Sequence, residues 1–171
     1  MIGPLDAPQP ALPDSHRRVI VRQPAPNETR KVAQESLTQF ATKAFRRPAE
    51  KKEISRLLSF VDMAQASGDS FEKGMQIATQ AILVSPHFLF RWELDTRPSK
   101  KETIRRLNDW ELASRLSYFL WSSMPDDQLR RLAEKGDLSK PSILASQIRR
   151  MIADPKSCLL YTSPSPRDLR K

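Results

Sequence analysis

The sequence predicts an all-α protein, with short antiparallel helices in a small bundle followed by the first helices of a truncated second helical domain. Glycine is scarce, at 4 of 171 residues, and β-branched residues form few clusters, so helices are favoured over sheets. Apolar residues recur at helical spacing along most of the chain. Capping residues and prolines divide these stretches into about five or six short helices.

Composition and periodicity divide the chain into five expected regions. The first of them holds six of the fourteen prolines, which fix φ and remove backbone donors, so an extended arm is expected there. Within the arm, Arg18–Arg22 fits either a lone edge strand or a segment packed against the helices. The regions are a proline-rich arm at 1–26, a small helical domain at 27–94, a basic linker at 95–106, the N-terminal part of a second helical domain at 107–157, and a non-native tail at 158–171.

Three helices are expected in the first domain, followed by a short apolar turn or helix at 86–92. The first begins after an N-cap at Asn27 and ends at Arg46-Arg47-Pro48. The second runs from about Ala49 to Ala66, and the third begins with a capping box in which Asp69 replaces serine or threonine. The third helix carries small residues that would admit a neighbouring helix at close range, namely Gly74, Ala78 and Ala81.

The second domain begins with a helix that is apolar nearly all round, and such a helix is expected to be buried on several sides. Asn108 and Glu111 form the capping-box pattern at its start. Met124-Pro125 is expected to begin the next helix with proline in its first turn, and Pro141 to begin the last. Trp110 and Trp121 are expected to flank a strip with Ser114 and Ser117 on the first helix of this domain. One face of the same helix consists of Leu112, Leu116, Phe119 and Leu120.

Composition also restricts the chemistry expected of this chain. No apolar run approaches the roughly 20 residues of a membrane span, and the first twenty residues lack the pattern of a secretion signal. The single cysteine, Cys158, cannot form an internal disulfide, and neither C-x-x-C-H nor a zinc spacing occurs. Two histidines offer few soft ligands for a transition metal. We therefore expect no metal site and no cofactor in this chain.

The net charge of +9 raises nucleic-acid binding as a hypothesis. However, the basic pairs lie at helix ends and in linkers, interleaved with acids, and most aromatic residues fall on apolar stripes. A nucleic-acid interface needs basic groups on one face with stacking aromatics between them. A solvated surface is the better interpretation, and a nucleic-acid partner is not expected.

Three phrases carry a resemblance to a known family: AFRRP at 44–48, ILVSPHFLFR at 82–91 and ELASRLSYFLWSSMPDD at 111–127. Together they resemble two adjacent domains of unknown function in large planctomycete-type proteins, over roughly residues 15–157. The resemblance implies an exported, periplasmic or cell-envelope protein, in which a module outside this segment often carries haem c. It also implies that the second domain continues beyond this chain, so that part of its apolar surface lacks its neighbours.

The last residues raise a separate expectation. The stretch CLLYTSPSPRD at 158–168 continues no helical pattern, and a disordered tail is the common explanation for such a segment. It also resembles a translation of the transposase mosaic-end and adapter DNA used in preparing sequencing libraries. On that interpretation the natural sequence is expected to stop near Ser157.

Three residues are candidate contacts for a cofactor or ligand, and no catalytic residue is predicted. His87 lies among aromatic residues, where it could cover a haem face or, more commonly, pack half-buried. Arg91 could form a cation–π pair or extend from an apolar surface. Arg115 could contact an anion, but its spacing from Glu111 favours an ordinary ion pair. The adjacent carboxylates at 126 and 127 favour helix capping over acid–base chemistry.

These observations leave three functional hypotheses. The favoured one is a non-catalytic helical segment of an exported, cytochrome-associated multidomain protein, packing or docking beside other domains of the same polypeptide. The alternative is part of an envelope enzyme, a haem-linked oxidoreductase with polysaccharide as a candidate substrate, whose site is lost by truncation. The third is a basic helical nucleic-acid-binding protein, which a strong salt-dependent affinity for DNA would support.

Overall fold

The computed structural model describes residues 14–25, 27–91 and 106–158, and these ranges contain no strand. The all-α prediction is confirmed, with eight α-helices and one 3₁₀ helix in the described ranges. The chain separates into two compact units, Met1–Arg91 and Trp92–Lys171. The elements are α1 (Asp14–Val19), α2 (Thr29–Phe45), α3 (Lys51–Ala66), α4 (Phe71–Leu83), α5 (Pro86–Leu89), α6 (Asp109–Trp121), α7 (Asp127–Lys135), α8 (Pro141–Ala153) and the 3₁₀ helix Pro155–Cys158.

Parts of four expected regions lie outside the described residues: positions 1–13 and 26 of the arm, 92–94 of the small helical domain, 95–105 of the linker, and 159–171 of the tail. The described ranges hold more helices than the sequence predicts because α1 and α5 are short. They contain six and four residues, which is too few to show an apolar period.

The first unit is built on α2, α3 and α4, each of which packs against the other two, while α1 and α5 pack on α2. Buried positions along these helices recur every three or four residues, so each helix presents one apolar stripe to a shared core. That core consists of Ile20, Ala33, Leu37, Ala41, Ala44, Phe45, Ile54, Leu57, Leu58, Val61, Met75, Ala78 and Ile82.

Gly74 marks a close approach between α3 and α4. A Cβ atom at this position would lie 3.1 Å from the Cα atom of Val61 and 3.4 Å from the Cβ atom of Ala64. A backbone atom cannot move aside as a side-chain tip can, so the hydrogen of glycine fits where a methyl group would crowd the neighbouring helix. The small residue therefore admits the neighbouring helix, as the sequence predicts.

Two predicted helix starts are wrong by one residue. The N-cap of α2 is Glu28 rather than Asn27, because the Glu28 amide closes a turn onto the Ala25 carbonyl at 2.9 Å. The N-cap of α4 is Ser70 rather than Asp69. The Ser70 backbone is extended, and its Oγ accepts a hydrogen bond from the Lys73 amide at 3.2 Å, three residues further on.

The edge strand considered for Arg18–Arg22 is also wrong. Residues Asp14–Val19 form α1, and Ile20 directly after it is buried in the core of the first unit. The amide of Val21 then donates to the Oγ of Ser36 on α2 at 3.2 Å. This part of the arm is therefore packed against the helices, which is the alternative that the sequence left open.

The second unit packs α6 against α7, α8 and the 3₁₀ helix. The expected capping box is present, because the Glu111 amide donates to Asn108 Oδ1 and the Asn108 amide donates to Glu111 Oε2, both at 2.9 Å. Pro141 begins α8 as predicted. The fully buried core residues are Ala113, Trp121, Leu129, Ala133, Leu138 and Met151.

The start of α7 differs from the prediction. Pro125 precedes the helix, which begins at Asp127 with Asp126 as its N-cap. The reason is that the Asp126 carboxylate accepts a hydrogen bond from the Leu129 amide, so the aspartate rather than the proline sets the first turn. None of the described helices combines the length and apolar character that a membrane crossing requires.

Candidate interaction site

A buried arginine connects two of the three phrases that stand out in the sequence. Arg46 ends α2 with φ of 56°, in the left-handed region, and is only 8% exposed. Its Nη2 atom donates to the carbonyl oxygens of His87, Phe88 and Phe90 at 2.9, 3.1 and 3.0 Å. A buried guanidinium is stable only with such partners. Here they are carbonyl groups at the end of a short helix, where intrahelical donors are missing.

Next to it, Arg47 and Glu53 form a two-point ion pair. The Nη2–Oε1 distance is 2.6 Å and the Nη1–Oε2 distance is 3.1 Å. Glu53 Oε2 also accepts the amide of Glu50 at the start of α3, at 2.8 Å. The Nε2 atom of His87 lies 3.5 Å from Glu53 Oε1, and its ring centroid is 5.6 Å from that of Phe45. This cluster ties the α2–α3 turn to α5.

A second cluster surrounds the Asp126 carboxylate. Its Oδ1 accepts from the Leu129 amide at 2.9 Å, and Arg150 of α8 donates Nη1 to Oδ2 at 2.7 Å and Nη2 to Oδ1 at 3.3 Å. The adjacent Asp127 forms an ion pair with Arg130 one turn further along α7. Both carboxylates therefore have structural partners, in agreement with the capping interpretation.

Trp121 is the anchor of this second cluster. It is 2% exposed, and its Nε1–H donates to the carbonyl oxygen of Met151 on α8 at 3.0 Å. The guanidinium carbon of Arg150 and the Nζ of Lys156 lie 5.3 and 5.0 Å from the indole ring, within cation–π range. Trp121 therefore joins the end of α6 to the end of α8 through packing, a hydrogen bond and two cations.

Both clusters make the stability of the fold depend on pH. Burial opposes ionisation of Glu53 and of Asp126, but the hydrogen bonds and charges of Arg47 and Arg150, together with backbone amides, outweigh it and lower the pKa of each carboxyl. A carboxyl whose pKa is lower in the folded state stabilises the fold above its unfolded pKa, about 4. That contribution is lost as pH falls through the lower, folded pKa.

Asp126→Asn is expected to lower the free energy of unfolding of the second unit at pH 7 by about 1 kcal/mol, because asparagine keeps the cap but loses the ion pair. Asp126→Ala should cost about 1 kcal/mol more. Urea unfolding of the full chain, followed between about pH 7 and 2 through the amide NMR signals of α7 and α8, measures both. In Asp126→Asn, the loss of stability in acid should shrink relative to the wild type. An unchanged pH dependence would show that the Arg150 pair contributes nothing.

The outer side of α6 is the third feature, because the helix that the sequence predicts to be buried on several sides leaves Phe119 largely exposed. The residues that α6 buries are Ala113, Ser117 and Trp121, spaced four apart. Phe119 is 72% exposed, and Leu112 and Leu116 pack only partly against the core. We call Leu112, Leu116 and Phe119 the apolar face of α6; their spacing of four and three places them in one row.

The three candidate contact residues are divided between the two units. His87 is half-buried beside Phe45 and Glu53, while Arg91 is exposed at the end of the first unit. Arg115 is an exposed residue of α6, in the second unit. Within residues 14–25, 27–91 and 106–158, no group of three or more histidine, cysteine, aspartate or glutamate side chains could hold a metal ion. Their role in binding a cofactor stays a prediction.

Sequence reasoning missed Arg46 and Arg150, the residues that organise the two clusters. Each is one member of a basic pair near a helix end, and such residues usually interact with the helix dipole in solvent. Arg46 and the stretch SPHFLF lie in two of the three phrases that carry the family resemblance. This shared membership is the signal that could have linked Arg46 to its partners. Nothing in the spacing of Arg150 indicates that it reaches Asp126, 24 positions earlier.

Two family models match the chain. One, described as PSD5, protein of unknown function (DUF1595), matches residues 32–93. The other, described as PSD4, protein of unknown function (DUF1592), matches residues 107–162 and so extends five residues into the expected tail. No curated protein and no solved structure shows a detectable similarity to the chain.

Proposed function

The chain carries a PSD5 domain followed by a PSD4 domain, and from this arrangement we propose that it is a non-catalytic docking segment of a multidomain protein. The proposed partners are other domains of the same polypeptide. The proposed contact surface is the apolar face of α6. The segment holds its neighbours in place, and any chemistry of the intact protein belongs to those neighbours.

One observation carries this proposal: on a single helix, Phe119 is 72% exposed while Trp121, two residues later, is 2% exposed. A lone exposed phenylalanine needs no explanation. Here, however, Leu112 and Leu116 lie in the same row on α6 and are only partly covered. A row of apolar side chains one turn apart is the arrangement that helices use when they dock into an apolar groove.

The ionisable side chains of the two clusters support a structural role. Glu53 binds Arg47, Asp126 binds Arg150, and Arg46 binds three carbonyl groups. Each of these interactions fixes the end of one helix against another element. The same contacts give no specific support to nucleic-acid binding, because several members of the basic pairs are engaged within their own unit.

From the resemblance we further propose that the intact protein works in the periplasm or cell envelope, beside a module that carries haem c. Covalent haem attachment needs C-x-x-C-H, which the 171 residues lack. The haem would therefore belong to another part of the polypeptide. The oxidoreductase alternative depends on that part and gains no observation from this chain.

The docking proposal is tested with the remaining domains of the intact gene, produced separately and titrated onto this chain in a calorimeter. Phe119→Glu should weaken their binding by about thirtyfold or more, because it places a charge in the centre of the proposed interface. The variant should keep the helix content and melting temperature of the wild type, since position 119 is largely exposed.

The matched control is Met63→Glu on α3, where the methionine is also exposed but lies in the first unit. Its affinity should stay within about twofold of the wild type. If Phe119→Glu binds as tightly as Met63→Glu, or if the wild-type chain binds none of the separate domains, the proposal is wrong.

A further inference from the structure

We infer that the segment Ser85–Phe90, which contains α5, is a releasable clasp on the first unit and that Arg46 controls its opening. The clasp is the last described element before Arg91, where the first unit ends. A displacement of the chain beyond Arg91 would therefore be transmitted to the clasp first, and to α2, α3 and α4 only through it.

The clasp is too short to be stable by itself. α5 has four residues, whereas isolated helices need about 12–15 to be even marginally stable in water. Its turn is closed by the amides of Phe88 and Leu89 donating to the Ser85 carbonyl at 2.9 and 3.0 Å, and by the Phe90 amide donating to Pro86 at 2.8 Å. These bonds persist only while the clasp is docked.

Docking depends on contacts with α2, together with contacts to α4 and to Glu53 of α3. Phe88 packs against the core of the first unit, and the rings of His87 and Phe45 lie 5.6 Å apart. Arg46 holds the backbone of the clasp through the carbonyls of His87, Phe88 and Phe90. Charged hydrogen bonds of this kind are stronger than neutral ones.

Arg46 also makes the docking switch-like. Its left-handed backbone is unfavourable for a residue with a side chain, and its guanidinium is buried. The buried guanidinium has its hydrogen-bond partners only with the three carbonyls in place. Once the clasp opens, the guanidinium loses its partners and must move into water, so the clasp has a closed and an open arrangement rather than a continuous range. Opening would also uncover part of the core next to Phe45.

The inference is tested by amide hydrogen exchange on the full chain, comparing the amides of Phe88, Leu89 and Phe90 with those of Leu57 and Leu58 on α3. In Arg46→Met, protection of the clasp amides should fall by about ten- to a hundredfold, while protection on α3 stays unchanged. Arg46→Lys should lie between the wild type and Arg46→Met, because it keeps the charge but loses the planar fork.

Phe88→Ala provides a second route to the open clasp that leaves Arg46 intact, and it decides the question if Arg46→Met fails to fold. It should give the same pattern of exchange. Arg30→Met is the matched control, because Arg30 forms an exposed ion pair with Asp62 in the same unit and should leave all these amides unchanged. If protection of α3 falls in parallel with the clasp, the first unit opens as one body and the inference is overturned. Unchanged clasp amides in Arg46→Met would overturn it as well.

Discussion

Trp121→Ala is expected to lower the free energy of unfolding of the second unit by about 3–5 kcal/mol. The indole is 2% exposed and fills the space between the ends of α6 and α8. Its removal leaves a cavity, removes the shorter of the two hydrogen bonds to the Met151 carbonyl, which keeps only the Asp154 amide at 3.3 Å, and takes the ring away from Arg150 and Lys156. Hydrogen exchange in increasing urea measures the loss separately for amides of the two units, which a single unfolding curve of a two-unit chain would not do.

Trp121→Phe is the informative control for this variant. Phenylalanine keeps much of the apolar volume but cannot donate to Met151, so its cost should be smaller, about 1–3 kcal/mol. Exchange in α2 to α4 should be unaffected by either substitution. Should alanine and phenylalanine cost the same, the hydrogen bond rather than the packing dominates. If neither destabilises α6 and α8, Trp121 is not the anchor described above.

Leu37→Ala is expected to destabilise the first unit by about 2–5 kcal/mol. Leu37 is fully buried on α2 in the core shared with α3 and α4, and truncation leaves a cavity that three packed helices cannot close without moving. Exchange protection of amides on all three helices should fall together, because they share this core. Amides of α6 to α8 should keep their protection.

The matched control for this variant is Leu83→Ala, which makes the same chemical change at the end of α4, where the leucine is 40% exposed. It should cost about 1 kcal/mol or less, since less apolar surface returns to water. Equal effects of the two substitutions would mean that burial in the crossing of α2, α3 and α4 does not determine the stability of the first unit.

Helix positions were predictable from the sequence wherever local chemistry decides them. The capping box of Asn108 and Glu111, the stop at Arg46-Arg47-Pro48 and the start at Pro141 all depend on residues within one turn of each other. The errors at Asn27 and Asp69 have the same origin. Where two adjacent residues can both cap, the choice depends on the path by which the chain enters the helix, and a sequence pattern does not contain that path.

The orientation of α6 could not be predicted, because periodicity shows which residues share a row but not which row faces the core. Size is a misleading guide on a helix that is apolar nearly all round. On α6, the row Ala113–Ser117–Trp121 is enclosed and Phe119 is outside. The apolar residues of α6 were therefore recognised from composition, whereas which of them are enclosed required the fold.

The contacts of the two clusters could not be predicted from the sequence for a different reason. Arg46 contacts residues 41 to 44 positions later, and Arg150 contacts Asp126 24 positions earlier. Contacts of this range depend on how whole helices pack, whereas an arginine at a helix end looks the same whether it is solvated or buried. Short motifs thus gave the elements and the family resemblance, while the interactions between motifs required the fold.

The position of the tryptophans has a practical consequence for watching this protein unfold. Both tryptophans of the described residues, Trp110 and Trp121, belong to the second unit, and residues 1–91 contain none. Indole emission excited at the red edge of ultraviolet absorption therefore reports on the second unit, and the enclosed ring of Trp121 should emit at shorter wavelengths than a hydrated one. A shift of that emission to longer wavelength that precedes the main loss of the far-ultraviolet circular dichroism of the whole chain would display, in one cuvette, two domains melting as separate thermodynamic bodies.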